Sequence, residues 1–200
     1  MAASIEDRVA GLDWQRIAER LDATGHAVSG PLLSARECAA IAALYAGDDG
    51  FRKRVVMARH GYGQGEYRYF TYPLPEPIAA LRRAFYPHLA ATANRWRKML
   101  GETGQFPPTL AAYLDECHAA GQTRPTPLLL KYGPGDYNRL HQDLYGEHVF
   151  PLQLTVLLSD PAGDFSGGEF VLVEQKPRAQ SRAEVVRLGL GEAVIFHDAA

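Results

Sequence analysis

In this 200-residue chain the triplet His141-Gln142-Asp143 combines the residue types and spacing with the most chemistry to offer. On a strand, residues i and i+2 point to one face, so an imidazole nitrogen and a carboxylate oxygen would be presented to a single ion. Histidine plus carboxylate, with coordination positions left open, suits non-haem Fe(II), which needs sites for substrate and dioxygen. Taken alone the triplet is a weak signal, because most H-x-D triplets are solvated loop residues.

The surroundings strengthen it. Lys131 to Asp143, KYGPGDYNRLHQD, reads as a strand, a glycine-rich turn and a second strand that carries the triplet. The stretch resembles the Y-x-x-G-x-x-x-x-x-H-x-D segment of the Fe(II)/2-oxoglutarate-dependent dioxygenases. Val156 to Asp160 (VLLSD) and Ser166 to Phe170 (SGGEF) are similar to later strands of that superfamily. More narrowly, Arg54–His60 (RVVMARH), Gly65–Phe70 (GEYRYF), Ala120–Pro127 (AGQTRPTP) and His141–Gly146 (HQDLYG) resemble a bacterial and fungal oxygenase family described as acting on damaged, alkylated DNA. The likeness covers roughly residues 20–194.

That resemblance implies an α+β fold with a double-stranded β-helix (jelly-roll) core and an N-terminal helical layer. It implies an enzyme with Fe(II) held by His141 and Asp143, 2-oxoglutarate as cosubstrate, and Tyr132 as a hydrogen-bond donor to it. The chemistry would be hydroxylation of a C–H bond, which on an N-methyl group releases formaldehyde and amounts to demethylation. The superfamily's third ligand is a distal histidine followed by a basic residue for the cosubstrate carboxylate. His197 lies 56 residues beyond His141, an acceptable distance, and is either that ligand or an ordinary strand-end histidine. His148 is a further candidate. Gly191-Glu-Ala-Val194 resembles the strand before the one that carries the distal ligand, so the expectation is that the strands with that ligand and the basic residue are missing and that the chain alone is a poor catalyst.

Several elements must position these residues. Asp13 caps a helix to about Leu21, with Trp14, Ile17, Ala18 and Leu21 on one face. Ser34 and Glu37 form a capping box for a helix to about Ala46. Residues 76–100 are the longest helical pattern, which Pro87 should kink or divide, and a short helix covers about 108–119. From Pro125 the chain turns to short apolar runs between Gly- and Pro-rich breaks. These are Pro127–Tyr132, Val149–Leu158, Gly168–Glu174, Glu184–Leu188 and Ala193–Phe196. The expected organisation is one domain over 1–200, with 1–124 mainly helical support and 125–200 a jelly-roll core, incomplete at its end.

Candidate substrate-binding residues are Tyr137 and Arg139, just before His141, and Tyr67 and Tyr69. The latter two belong to an aromatic run (Tyr62, Tyr67, Tyr69, Phe70, Tyr72, with Arg59 and Arg68) that reads either as a stacking and phosphate-binding surface for nucleic acid or as a hairpin with an aromatic core face. A net charge of −2 provides no global basic field for non-specific nucleic-acid binding. Hydrophobic and charged shares of 46% and 22% exclude a disordered or fibrous chain. Two cysteines, Cys38 and Cys117, make a structural disulfide improbable. No apolar run reaches the roughly 20 residues of a membrane span, and no signal peptide is recognisable, so a cytoplasmic location is expected. Competing readings are a prolyl-hydroxylase-like protein or amino-acid hydroxylase, a cupin-like metal protein using His141, Asp143 and Glu147, and a catalytically silent jelly-roll.

Overall fold

The structure, a computed structural model, describes residues 3–143, 149–175, 178 and 180–197. Two serines start helices in the same way. Ser4 caps α1 (Ile5–Ala10) and Ser34 caps α3 (Ala35–Ala43), each exchanging hydrogen bonds with the acid three residues on. Glu37 does double duty, since the Arg8 guanidinium also donates to it twice, at 2.9 and 2.6 Å, and so ties α3 to α1. Asp13 caps α2 (Trp14–Thr24), which stops at Gly25 in the left-handed conformation that suits glycine. The long helix α4 (Glu76–Met99) runs unbroken through Pro87, and α5 (Leu110–Ala119) follows it. Pro87 removes one helical hydrogen bond, but Leu81, Phe85, Leu89, Ala90 and Ala93 bury the same helix against the core. Packing of an apolar face outweighs the local defect here.

The strands form three small antiparallel sheets, and among the described residues no barrel closes. β1 (His26–Pro31), β8 (Glu192–His197) and β5 (Leu152–Val156) form one sheet with β8 in the middle. β2 (Phe51–Val56), β3 (Glu66–Phe70) and β4 (Leu128–Lys131) form the second, and β6 (Phe170–Glu174) with β7 (Arg182–Val186) the third. Three strands thus come from the stretch read as helical support. Each of the two larger sheets interleaves strands from before and after Pro125, so no boundary in the fold corresponds to the change of sequence character there.

Strand parity decides what each face of the β1–β8–β5 sheet does. Ala27, Leu152, Ala193 and Ile195 enter a core shared with Ile17 and Leu21 of α2 and with Leu81, Phe85 and Leu89 of α4. Burying a side chain of the size of Leu or Phe contributes about 1.5–3 kcal/mol, so each of the larger residues adds that order to the sheet–helix contact. On the other face, Phe196 meets Phe170 of the β6–β7 hairpin at 5.4 Å, and His26 lies 3.6 Å from Glu184 on β7. Gly191 closes the sheet's end. Its carbonyl accepts from Leu32 and Leu33, and a Cβ there would sit 2.0 Å from the Leu33 oxygen.

Candidate metal centre

The segment that carries His141 and Asp143 follows from how the chain leaves β4. After Lys131 the Gly133–Asp136 turn loops out of the ladder, closed by the Gly133 amide donating to the Asp136 carboxylate at 2.7 Å. The chain then rejoins the sheet beside the 61–65 loop. Gln64 N–H donates to the Tyr137 carbonyl at 2.7 Å, Arg139 N–H donates to the Tyr62 carbonyl at 2.8 Å, and Gly63 bridges Asn138. Gly63 must be glycine. Its φ is +132°, and a Cβ would lie 2.2 Å from the Tyr137 oxygen.

Beyond that bridge, residues 139–143 belong to no strand, so the i, i+2 argument does not apply to His141 and Asp143. They come together by another route. The Arg139 carbonyl, 2.7 Å away, accepts from His141 Nδ1, so Nδ1 is the donor and the ring is turned to present Nε2 on its other side. Nε2 faces Asp143 Oδ1 at 3.6 Å. The other carboxylate oxygen, Oδ2, accepts from Gln153 Nε2 at 3.3 Å. Each side chain therefore has its outer atom held by the protein and its inner atom directed at the other. Metal-ligating histidines and carboxylates are supported in this way.

The donor set fits a borderline divalent cation. Two ligands at right angles on bonds of about 2.1 Å lie about 3 Å apart, so a separation of 3.6 Å needs only a small closure. An imidazole with a carboxylate suits Fe, Zn or Mn better than a soft ion. The side chains are 48% and 43% exposed, so a substrate can approach them.

His197 is not brought to this pair. Gln153 is the cross-strand partner of Phe196, so its side chain lies on the face covered by the β6–β7 hairpin, whereas His197 pairs with Leu152 and points to the helical side. There its ring meets Trp96 of α4 edge-on at 5.2 Å. The two-residue period of a strand separates the two positions. Among the described residues no group of three histidines, cysteines or acids is placed to hold one metal. Glu147 and His148 lie outside the described residues.

Tyr132 leaves the end of β4 with its half-exposed ring on Gly65 and its hydroxyl hydrogen-bonded to Asn138. Burial raises the phenol above its ordinary value, and the Asn138 contact works against that shift. Tyr137 and Arg139 are exposed beside the pair. Tyr67 and Tyr69 share one face of β3, edge to face at 5.4 Å, and Arg52 lies over the Tyr69 ring at 4.4 Å. Phe70 and Arg68 take the opposite face. Phe70 is in the core, and Arg68 covers Tyr45 at 4.8 Å while donating to the Gly47 carbonyl. The aromatic run is thus a two-faced hairpin in which Arg68 is a packing residue rather than an exposed one.

Sequence reasoning missed Gln153 and the Arg139 carbonyl. The first had a weak signal, an amide on the face opposite Leu152, Leu154 and Val156 in an alternating strand. The second is a backbone group and leaves none.

Fold and site together define a mixed α/β protein of small antiparallel sheets with an oriented imidazole–carboxylate pair beside one of them. No helix among the described residues is long and apolar enough to cross a membrane. Over residues 65–200 the chain matches, and belongs to, the family described as oxygenases catalysing oxidative methylation of damaged DNA. It is 53% identical over 150 residues to the uncharacterized protein Rv2227 of Mycobacterium tuberculosis strain H37Rv. The same identity holds for the uncharacterized protein MT2286 of strain CDC 1551. These alignments cover 72% of this chain and 64% of each relative, so the chain spans less than two thirds of the length of the curated relatives it matches. No solved structure matches it.

Proposed function

We propose that the chain is the metal-bearing part of an Fe(II)- and 2-oxoglutarate-dependent oxygenase that hydroxylates an alkyl group on damaged DNA. One observation carries this reading: His141 Nδ1 donates to the Arg139 carbonyl while Nε2 faces Asp143 Oδ1 at 3.6 Å, an arrangement that one ion could bridge. The family's description, oxygenases acting on damaged DNA, supports the reaction class. In this reading the β1–β8–β5 sheet and the β6–β7 hairpin are the two facing layers of a jelly-roll core, with His141 and Asp143 at its mouth.

The residues divide the work. Arg139, through its carbonyl, sets the imidazole, and Gln153 sets the carboxylate. Tyr132, at the end of β4, is the candidate donor to the cosubstrate, and Tyr137 and Arg139 face the substrate. When bound, iron with 2-oxoglutarate would supply activation of dioxygen for a C–H hydroxylation, one oxygen atom going to the substrate carbon and the other to succinate as the cosubstrate loses carbon dioxide, and on an N-methyl group the hydroxylated product releases formaldehyde. The protein's own contribution is orientation and access.

The test is oxygen uptake by the iron-loaded protein, dependent on 2-oxoglutarate, with formaldehyde measured on an N-methylated oligonucleotide. Uptake coupled to formaldehyde is expected. Tight iron binding without oxoglutarate turnover would replace this reading by a cupin-like metal protein, and failure to bind iron would leave a silent jelly-roll.

A further inference from the structure

Exposed aromatic rings gather at one place on this molecule. Tyr62, Tyr132 and Tyr137 are 44%, 43% and 49% exposed, and Leu140 beside them is 70% exposed. They come from two loops that the backbone fastens together, through Gln64 to Tyr137 and Arg139 to Tyr62, with the Tyr132 ring laid on Gly65. Exposed aromatic rings set this close along paired backbone suit a binding surface. The platform is held rigid by the Gly63 close approach and the Gly133–Asp136 turn.

Charge identifies the occupant. Arg59, exposed and next in sequence to His60, and Arg139, exposed and hydrogen-bonded through its N–H to the Tyr62 carbonyl, have no ion pair with a carboxylate of the described residues. The nearby Asp136 carboxylate is used by its own turn. His60 already stacks on Tyr62, with centroids 5.3 Å apart and planes 23° apart, so a π-face of the size of a nucleobase can extend that stack. Rings for stacking with guanidiniums for phosphate are the elements of single-strand recognition. A duplex hides its base faces, and a net charge of −2 gives no global basic field for two backbones.

We propose that Tyr62 and Tyr137, flanked by Arg59 and Arg139, form a stacking platform that takes an unpaired base of a single-stranded nucleic acid next to His141. This deepens, and for its meaning at the site rests on, the reading of the chain as an oxygenase of damaged DNA. Binding itself needs no metal, so the two can fail separately.

The experiment is fluorescence anisotropy of labelled oligothymidylate on the metal-free protein. Tyr62→Ala and Tyr137→Ala are each expected to weaken binding by about fivefold or more. The phenylalanine variants should bind as wild type, because stacking needs only the ring. Arg139→Gln should flatten the salt dependence. Tyr72→Ala, at an exposed tyrosine against His118 outside the platform, should bind like wild type. Unchanged affinity of both Tyr62→Ala and Tyr137→Ala overturns the proposal. So does equal binding of duplex DNA, or displacement of the probe by an acidic peptide at equal concentration. Loss of iron turnover with oligothymidylate binding intact would instead count against the oxygenase reading alone.

Discussion

Substituting Gly63 by alanine tests how the two candidate ligands are placed. The new Cβ would lie 2.2 Å from the Tyr137 carbonyl oxygen, a backbone atom that cannot rotate away, so one strand must move by more than an ångström. The φ of +132° adds strain of about 1–3 kcal/mol for a residue with a side chain. Against this stand two loop hydrogen bonds, Gln64 to Tyr137 and Arg139 to Tyr62, worth about 0.5–1.5 kcal/mol each. Strain and clash together exceed what the bonds return, so the 137–140 stretch should separate from the 61–65 loop. Because residues 130–143 are exposed throughout, the cost should stay local and global stability should fall by only about 1 kcal/mol. Divalent-metal affinity should fall about 10- to 100-fold, since the carbonyl that orients His141 lies on the released stretch. Hydrogen exchange at Gln64 and Arg139, together with a metal titration, reads both effects. Gly61→Ala is the control: its φ is +74° with open space around it, so it should cost about 1 kcal/mol and leave the metal site unchanged. Protected Gln64 and Arg139 amides and wild-type metal affinity in Gly63→Ala would refute the reasoning.

Other outcomes follow from the same geometry. Replacing His197 by alanine should leave metal affinity unchanged, because its ring packs on Trp96 on the far face of the sheet; an isothermal titration in which affinity collapses would make it a ligand after all. Gln153→Leu should weaken metal binding about tenfold or more with little loss of thermal stability, whereas Gln153→Asn or a wild-type response in the leucine variant would show respectively how much reach matters and that the contact is idle. The Arg8 guanidinium beside Glu37, with the Ser34 contacts, holds the Glu37 carboxyl at about 2, below its usual 4.5. That stability is present above about pH 4.5 and is lost as the pH falls toward 2; after allowance for solvent screening it amounts to about 1 kcal/mol. Urea titrations of Glu37→Gln should show a deficit of that size at pH 7 that shrinks in acid.

Much of the helical layer could be read from the sequence because its signals are local. Ser34 with Glu37, Asp13 with its apolar face, and the period of 76–99 each specify a helix without reference to the rest of the chain. Strands after Pro125 were legible from alternation and turn residues. β2 and β3 were harder: their arginines and tyrosines do not advertise a core face, and only pairing with β4, some sixty residues later, makes them a sheet. At the site, His141 and Asp143 stood out by residue type, but the reason they meet did not. A strand was expected to align them, and the alignment instead comes from a carbonyl at Arg139 and an amide at Gln153, contacts that no periodicity encodes. His197 illustrates the same limit, since its spacing from His141 was acceptable while its parity on β8 turns it away.

The central claim is that His141 and Asp143 together hold the metal, and anaerobic Fe(II) titration of the wild type beside His141→Ala and Asp143→Asn tests it most directly. The geometry predicts one iron per wild-type chain and loss of that binding in either variant, with the fold retained by circular dichroism. Iron bound equally well by all three proteins would contradict it.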